Sequence, residues 1–283
     1  MTPTMTALRA GWNRGLIELR QSFTNGQDLF GQFFWPVLLL ATLFFMRGSQ
    51  VPAGGMVLGA MVLPSLLGMN IVFYGMLSIA QLLTVEREDG TLLRAKAIPN
   101  GMLGYLFGKL VTVSGGLIIN IAILLIPGSF IVDGLAVSSV GSWLMLAWVL
   151  VLGMVATLPL GAVFGAVFTS PRSLSLLMLP MMGLVAISGI FYPITEVAQW
   201  LQWLAQAFPI YWLGLGMRSA MLPDSAAALE IGHSWRHLET IGVLGVWAAL
   251  GLILAPIVLR RMARRESGSS VAERREKAMQ RVG

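Results

Sequence analysis

The sequence predicts an all-helical membrane protein. Six transmembrane helices are expected, with an amphipathic in-plane helix ahead of them and short re-entrant or interfacial helices after the fifth. Three observations predict this. Hydrophobic residues make up 56% of the 283 residues and charged residues only 11%, against roughly 25% charge in a soluble domain. Six stretches, near 29–46, 56–85, 103–127, 140–169, 173–191 and 240–259, are apolar enough to cross a bilayer, which takes about 20 residues in a helix. The alternating strands of a membrane barrel are absent, and helices satisfy their own backbone polar groups in hydrocarbon.

The chain divides into an amphipathic start (1–28), a six-span domain (29–259) and a basic tail (260–283). At the start, Leu8, Trp12, Leu16, Leu19 and Phe23 recur at helical spacing, with Arg14, Glu18 and Gln21 opposite and Ile17 off pattern. A basic amphipathic helix of this kind suits a headgroup layer. No secretory signal peptide is visible, and the first span is expected to serve as its own insertion signal. With cysteine absent, thiol chemistry is excluded and redox compartment is not legible.

Basic residues set the orientation. With both termini inside, the inner side holds 16 of the 19 Lys and Arg residues, and only Arg47, Arg218 and Arg236 lie outside. This is a strong positive-inside bias. It predicts a multi-pass protein with both termini cytoplasmic, and the membrane expected is a bacterial plasma membrane. It also accounts for the pI near 10.3 through anionic inner-leaflet lipid, so no nucleic-acid partner is required.

Between the second and third apolar stretches lies a compact strip of charge: Glu86, Arg87, Glu88, Asp89, Gly90, Thr91, Leu92, Leu93, Arg94, Ala95 and Lys96. Acid at its start and base at its end suit a short helix, because carboxylates complement the amino-terminal dipole and cations the other end. Gly90 permits a sharp turn, Asp89 or Thr91 can cap, and Pro99 forces an exit. The strip is expected to be a membrane-parallel helix presenting both signs of charge to the cytoplasm.

Within the spans, Pro36, Pro64, Pro159 and Pro180 can kink helices. Gly104 with Gly108, and Gly161 with Gly165, read as close-packing pairs, with Lys109 snorkelling to the surface. The intramembrane polar residues are few; Asn70 and Asn120 could line a path or bond between helices. The 196–217 segment is apolar enough for a seventh crossing, but that would place the basic tail outside. It reads instead as a helix lying in the outer interface or dipping in and out. Val197, Trp200, Leu201, Leu204 and Phe208 form its apolar face, with Gln199, Gln202 and Gln206 opposite. Trp200, Trp203, Tyr211 and Trp212 are its expected aromatic anchors. Ser270 and Glu273 could cap a short helix in an otherwise solvated tail.

Two motifs carry a resemblance. Glu-Arg-Glu-Asp-Gly-Thr-Leu (86–92), followed by Ile98-Pro99 and Gly108-Lys109-Leu110, resembles the strip between the second and third spans of ABC type-2 exporter permeases of the drug-resistance and polysaccharide-export class. Ser188-Gly189-Ile190-Phe191-Tyr192-Pro193, then Trp200-Leu201, Pro209, Tyr211 and Arg218, is similar to the region after their fifth span. The resemblance implies that Glu86, Arg87, Glu88, Gly90 and Thr91 belong to a coupling helix that docks on a separate cytoplasmic ATPase; Asp89, Leu92 and Arg94 complete the same strip. It also implies that Pro193, Trp200, Pro209, Tyr211 and Arg218 shape an outer gate, and that a second copy or a homologous permease completes the pathway. Family members often carry another acid where this chain has Leu93.

The function expected is export of a hydrophobic or amphipathic substrate. ATP and magnesium would be bound by the partner, with no metal or cofactor in this chain. The closest approach to a phosphate loop, Gly104 through Leu110, lacks one spacer and the Ser/Thr, and the span interiors lack the ionisable residues of ion-coupled carriers. A non-transporting scaffold or sensor holding a partner through 86–100 is the alternative. An intramembrane enzyme is disfavoured: Ser114 and Ser188 have no base within expected reach, and His233 with His237 lacks a third ligand.

Overall fold

The computed structural model describes residues 2–49, 58–168 and 170–265, without the side chains of Gln27, Asp28, Glu88, Pro171 and Arg265. Every regular element among them is a helix: α1 (Pro3–Ser22), α2 (Gly26–Met46), α3 (Leu58–Glu88), α4 (Thr91–Lys96), α5 (Gly101–Ile131), α6 (Val140–Val167), α7 (Pro171–Leu174), α8 (Met178–Ile187), α9 (Gln199–Gln206), α10 (Pro209–Met221) and α11 (His237–Arg265). Local signals mark several starts. Thr2 accepts from the Met5 amide ahead of Pro3, Ser139 accepts from the Ser142 amide, and Ser170 and Ser173 form a reciprocal capping box. Each satisfies amides that the first helical turn leaves without partners.

Five described helices are long and apolar enough to cross a membrane: α2, α3, α5, α6 and α11. The sixth expected crossing, 173–191, is not a single helix. It is α7, a 3₁₀ turn over Ser175–Leu177, and α8, which stops at Ser188. The stop has a local cause: Ser188 turns its hydroxyl back onto the Leu184 carbonyl, and Gly189 follows with φ +65°, a left-handed conformation that glycine adopts without a Cβ penalty.

α3 is the centre of the bundle, flanked by α5, α6 and α10; α11 packs on the far side of α6, and α1 and α2 pack on α5. At 31 residues each, α3 and α5 span about 46 Å, well beyond a hydrocarbon core of about 30 Å. Their ends therefore stand clear of it. At one end α3 hands over to α4, and the carboxyl ends of α6 and α11 meet there: Arg87 reaches the carbonyls of Ala166 and Phe168, and Leu92 joins a cluster with Leu259 and Met262. At the opposite end the α5–α6 connection meets α10 through the Ala136 amide on the Met221 carbonyl. Residues 171–236 thus carry the chain from the strip end to this opposite end, the cap end, where residues 222–236 form a cap that leads into α11.

Lipid tails supply no hydrophobic drive between helices, so close backbone packing has to hold them. Gly161 and Gly165 of α6 lie on Met76 and Ala80 of α3, so this pair makes an intrachain contact. At Gly68 of α3 an added Cβ would fall 2.5 Å from the backbone nitrogen of Gly214. α10 is consequently inserted against α3 and α6, with every residue but Ser219 buried. This corrects two of the four expected aromatic anchors: Tyr211 and Trp212 are core residues, while Trp200 and Trp203 of α9 face outward. On the glutamine face of α9, Gln199 is exposed, while Gln202 and Gln206 are half-buried and donate to the Val197 and Gln202 carbonyls. The proposed Ser270–Glu273 cap lies outside the described residues.

The Gly68–Gly214 approach is testable. Gly68→Ala has no flexible neighbour to displace and should cost about 1–3 kcal/mol, the usual range for overpacking. Gly245→Ala, with nothing within 4 Å of its added Cβ, should be neutral. Thermal unfolding in detergent should show a lower midpoint for the first alone.

Candidate functional site

The strip between α3 and α5 is split by the fold into an anchored half and a displayed half. α3 continues through Glu88, whose side chain lies outside the described set. Gly90, at φ +79°, ends it and starts α4. Asp89 Oδ1 accepts from the Thr91 amide at 2.8 Å, and Arg94 closes onto the Thr91 hydroxyl at 2.8 Å. Leu92 and Ala95 face the bundle with Tyr105, Ala166 and Leu259. Asp89, Arg94 and Lys96 are exposed, continuing into Ile98, Pro99 and Asn100. A six-residue helix has little stability of its own; burial of Leu92 fixes it to the bundle.

Glu86 and Arg87 are not on the displayed face, which corrects the expectation that the whole strip points to the cytoplasm. Arg87 is buried against the end of α6. Glu86 turns to Lys109 of α5, with Nζ–Oε1 at 2.5 Å, while Lys109 also meets Glu18 of α1 at 2.7 Å. Arg14 pairs with Glu18 at 2.8 Å, and Thr112 donates to Glu18 and to the Gly15 carbonyl. Lys109 is 3% exposed. It does not snorkel, because two carboxylates are within its reach. Burial opposes the charge on Glu18, but hydrogen bonds from Lys109 and Arg14 outweigh it and hold the carboxyl below its ordinary range.

This ionic node is possible only because α1 lies flat on α5. An added Cβ at Gly15 would fall 2.6 Å from the Gly108 carbonyl oxygen, and Gly11 meets Gly104 as closely. The pair Gly104 and Gly108 is therefore the helix contact expected, and its partner is α1. Four apolar residues of α1 point away from the bundle, Met5, Trp12, Leu16 and Ile17 being exposed, while Leu19 packs on Gly115 of α5.

The residues assigned to the outer gate separate. Trp200 is exposed, while Pro193, Pro209, Tyr211 and Arg218 are buried. Arg218 lies at the centre. Its Nε donates to Glu230 Oε1 at 2.6 Å and Nη2 to Oε2 at 3.2 Å; Nη1 donates to Ser65 Oγ at 2.8 Å and to the Gly189 carbonyl at 3.5 Å. One guanidinium thus joins α10, the cap, α3 and the turn after α8.

Asn70 and Asn120 have different surroundings. Asn120 Nδ2 donates to the Gln32 carbonyl, and Gln32 bonds to Tyr74 and to the Gly116 carbonyl, so α2, α3 and α5 share one polar seam. Asn70 is buried on α3 with Oδ1 lacking a partner among the described residues.

Sequence reasoning missed Glu18, Thr112, Ser65 and Glu230 as site residues. The Arg14–Glu18 spacing of four was a visible signal. Nothing local marked Glu230, which is 12 residues from its partner.

Two outcomes follow. Arg218→Met should destabilise by about 3–5 kcal/mol by orphaning Glu230, while Arg218→Met/Glu230→Met should recover most of that loss; thermal unfolding in detergent checks both. Glu18 has a depressed folded pKa, so its stabilising contribution is present at neutral pH and disappears as pH falls through that value, below the ordinary 4.5. Amide exchange across α1 should rise in that acid range, and Glu18→Gln should show the raised exchange already at neutral pH.

Comparison with known proteins adds one match. Residues 24–257 match the family described as ABC-2 family transporter protein. No curated protein matches the chain. The match begins just after α1 and takes in the strip, the polar seam, α10 and most of α11; this chain belongs to the ABC-2 transporter family.

Proposed function

We propose that this chain is the membrane permease of an ATP-driven exporter, working with a separate cytoplasmic ABC ATPase whose docking surface is Asp89–Asn100. Family membership implies association with an ABC ATPase. The observation that carries the docking assignment is the division of the strip. Leu92 and Ala95 are embedded in the bundle, while Asp89, Arg94 and Ile98 stand outside it. A push on the displayed half is delivered to α3, α5, α6 and α11 together. ATP and magnesium belong to the partner, and this chain contributes mechanical coupling.

In this reading both termini are cytoplasmic in a bacterial plasma membrane, and the composite α7–α8 with its cap makes the sixth crossing. Glu86, Arg87, Glu88 and Gly90 are coupling residues of a second kind: they tie the strip to the bundle, and Thr91 and Leu92 seat it. Pro193, Trp200, Pro209, Tyr211 and Arg218 belong to an outer gate organised by Arg218. The substrate is hydrophobic or amphipathic, because the span interiors offer amides and hydroxyls such as Asn70, Asn120 and Gln32 and no unpaired charge among the described residues. A second permease copy or a homologue would complete the pathway.

Affinity purification of the full chain from membranes in mild detergent tests this. Wild type should retain an ATPase, and Arg94→Glu/Ile98→Asp should lower the retained amount about tenfold, a change of about 1.4 kcal/mol, with an unchanged elution profile. No ATPase on wild type, or equal retention by the variant, overturns the docking assignment. A retained partner without ATP-dependent substrate movement in vesicles identifies a scaffold instead.

A further inference from the structure

We propose that the groove between the α9–α10 turn and the first three turns of α11 binds a single zwitterionic phospholipid with a primary ammonium headgroup. The groove is lined by Arg236, Glu239 and Gln206 at its head and by Gly242, Val246 and Trp247 below. Glu239, Gly242 and Val246 follow one another at helical spacing and share one stripe of α11. An added Cβ at Gly242 would meet nothing within 4 Å, so the absent side chain is what leaves the channel open. From Arg236 to Val246 the groove descends about 15 Å along the helix axis, half of a hydrocarbon core of about 30 Å. A charged head above an apolar trough one leaflet deep has the dimensions of one lipid.

The head is a built pair and not a stray cation. Arg236 sits at φ +49°, an unfavourable conformation for a residue with a Cβ, held by what its side chain touches. Nη1 donates to Gln206 Oε1 at 2.7 Å, Nε donates to Glu239 Oε1 at 3.3 Å, and the guanidinium lies 4.8 Å from the centre of the Trp212 ring. Arg236 also lies within reach of the Tyr211 hydroxyl and Glu239 within reach of its own amide, while Arg236 Nη2 and Glu239 Oε2 make no hydrogen bond of 3.5 Å or less among the described residues. The site therefore keeps a guanidinium donor edge beside a half-exposed carboxylate, both open to the groove.

That combination selects the ligand. The carboxylate cancels the net attraction of the guanidinium for a purely anionic headgroup. A phosphate on Arg236 Nη2 and a primary ammonium on Glu239 Oε2 match both charges at once. A choline headgroup has no N–H to give Glu239. The lower wall is fixed by Trp247, whose Nε1 donates to the Ala207 carbonyl at 2.9 Å while Phe208 stacks on its ring at 5.9 Å, so the trough is rigid before the lipid arrives. The site lies at the end of α11 away from its basic residues Arg260, Arg261 and Arg264, in the leaflet opposite the one those residues favour.

Native mass spectrometry of the full chain, exchanged into detergent with equimolar dioleoyl phosphatidylethanolamine, phosphatidylcholine and phosphatidylglycerol, tests the proposal. Wild type should retain phosphatidylethanolamine at least about fivefold over either competitor. Glu239→Gln should abolish that preference, and Gly242→Leu should lower retention of all three lipids at an unchanged thermal midpoint. Arg260→Gln/Arg261→Gln, at the opposite end of α11, should leave the preference intact. A preference for phosphatidylglycerol, a phosphatidylethanolamine preference that survives both groove variants, or displacement of the lipid by millimolar inorganic phosphate would overturn the assignment.

Discussion

A charge withdrawn from water in a bilayer protein must meet its opposite, and this molecule is organised around two places where that occurs. At the strip end Lys109 is enclosed by Glu18 and Glu86. At the cap end Arg218 is enclosed by Glu230, Ser65 and the Gly189 carbonyl. Because separating a desolvated pair costs far more than stretching an exposed one, each site clamps its neighbours. The first fixes α1 and α3 to α5. The second fixes α10 and the cap to α3. α3 is common to both, and it packs against α5, α6 and α10 between them.

Between the two clamps the bundle is held by small residues and weak polar contacts. Gly68, Gly161 and Gly165 bring α3, α6 and α10 to backbone distance, and Gly75 and Gly153 make room for the Thr157 and Leu213 side chains, while Gln32, Tyr74 and Asn120 stitch α2 to its neighbours with hydrogen bonds of 3.3–3.4 Å. Rigid ends joined by smooth, weakly bonded middles permit helices to rock against one another without breaking an ion pair. The same contrast explains why α2, with its long exposed row from Phe30 to Phe45, is the least committed helix of the bundle.

Much of this was legible in the residues. Long apolar runs mark five helices because the bilayer enforces length and composition; the strip was visible because charge interrupts such runs only where the chain leaves them. The inward turns were not legible. Glu86 and Arg87 look like their exposed neighbours Asp89 and Arg94 until α5 and α6 supply Lys109 and the Ala166 carbonyl, which are far away in sequence. Tyr211 and Trp212 carry the composition of an interfacial belt, yet Gly68 and Gly153 open a slot that draws α10 into the core. The break at Ser188-Gly189 depends on a hydroxyl folding back onto its own helix, and periodicity carries no trace of that.

The seating of α1 has a consequence for how the molecule is made. Glu18 lies 91 residues ahead of Lys109, and chains are synthesised from the amino terminus at a few residues per second. For several seconds α1 exists without α5, its glycine track uncovered and its carboxylate lacking its principal partner. Arg14, one turn earlier, pairs with Glu18 within the helix itself, and the exposed Trp12, Leu16 and Ile17 give α1 an apolar face of the kind that suits a lipid surface. α1 therefore carries its own charge partner and an exposed apolar face until α5 arrives to receive it.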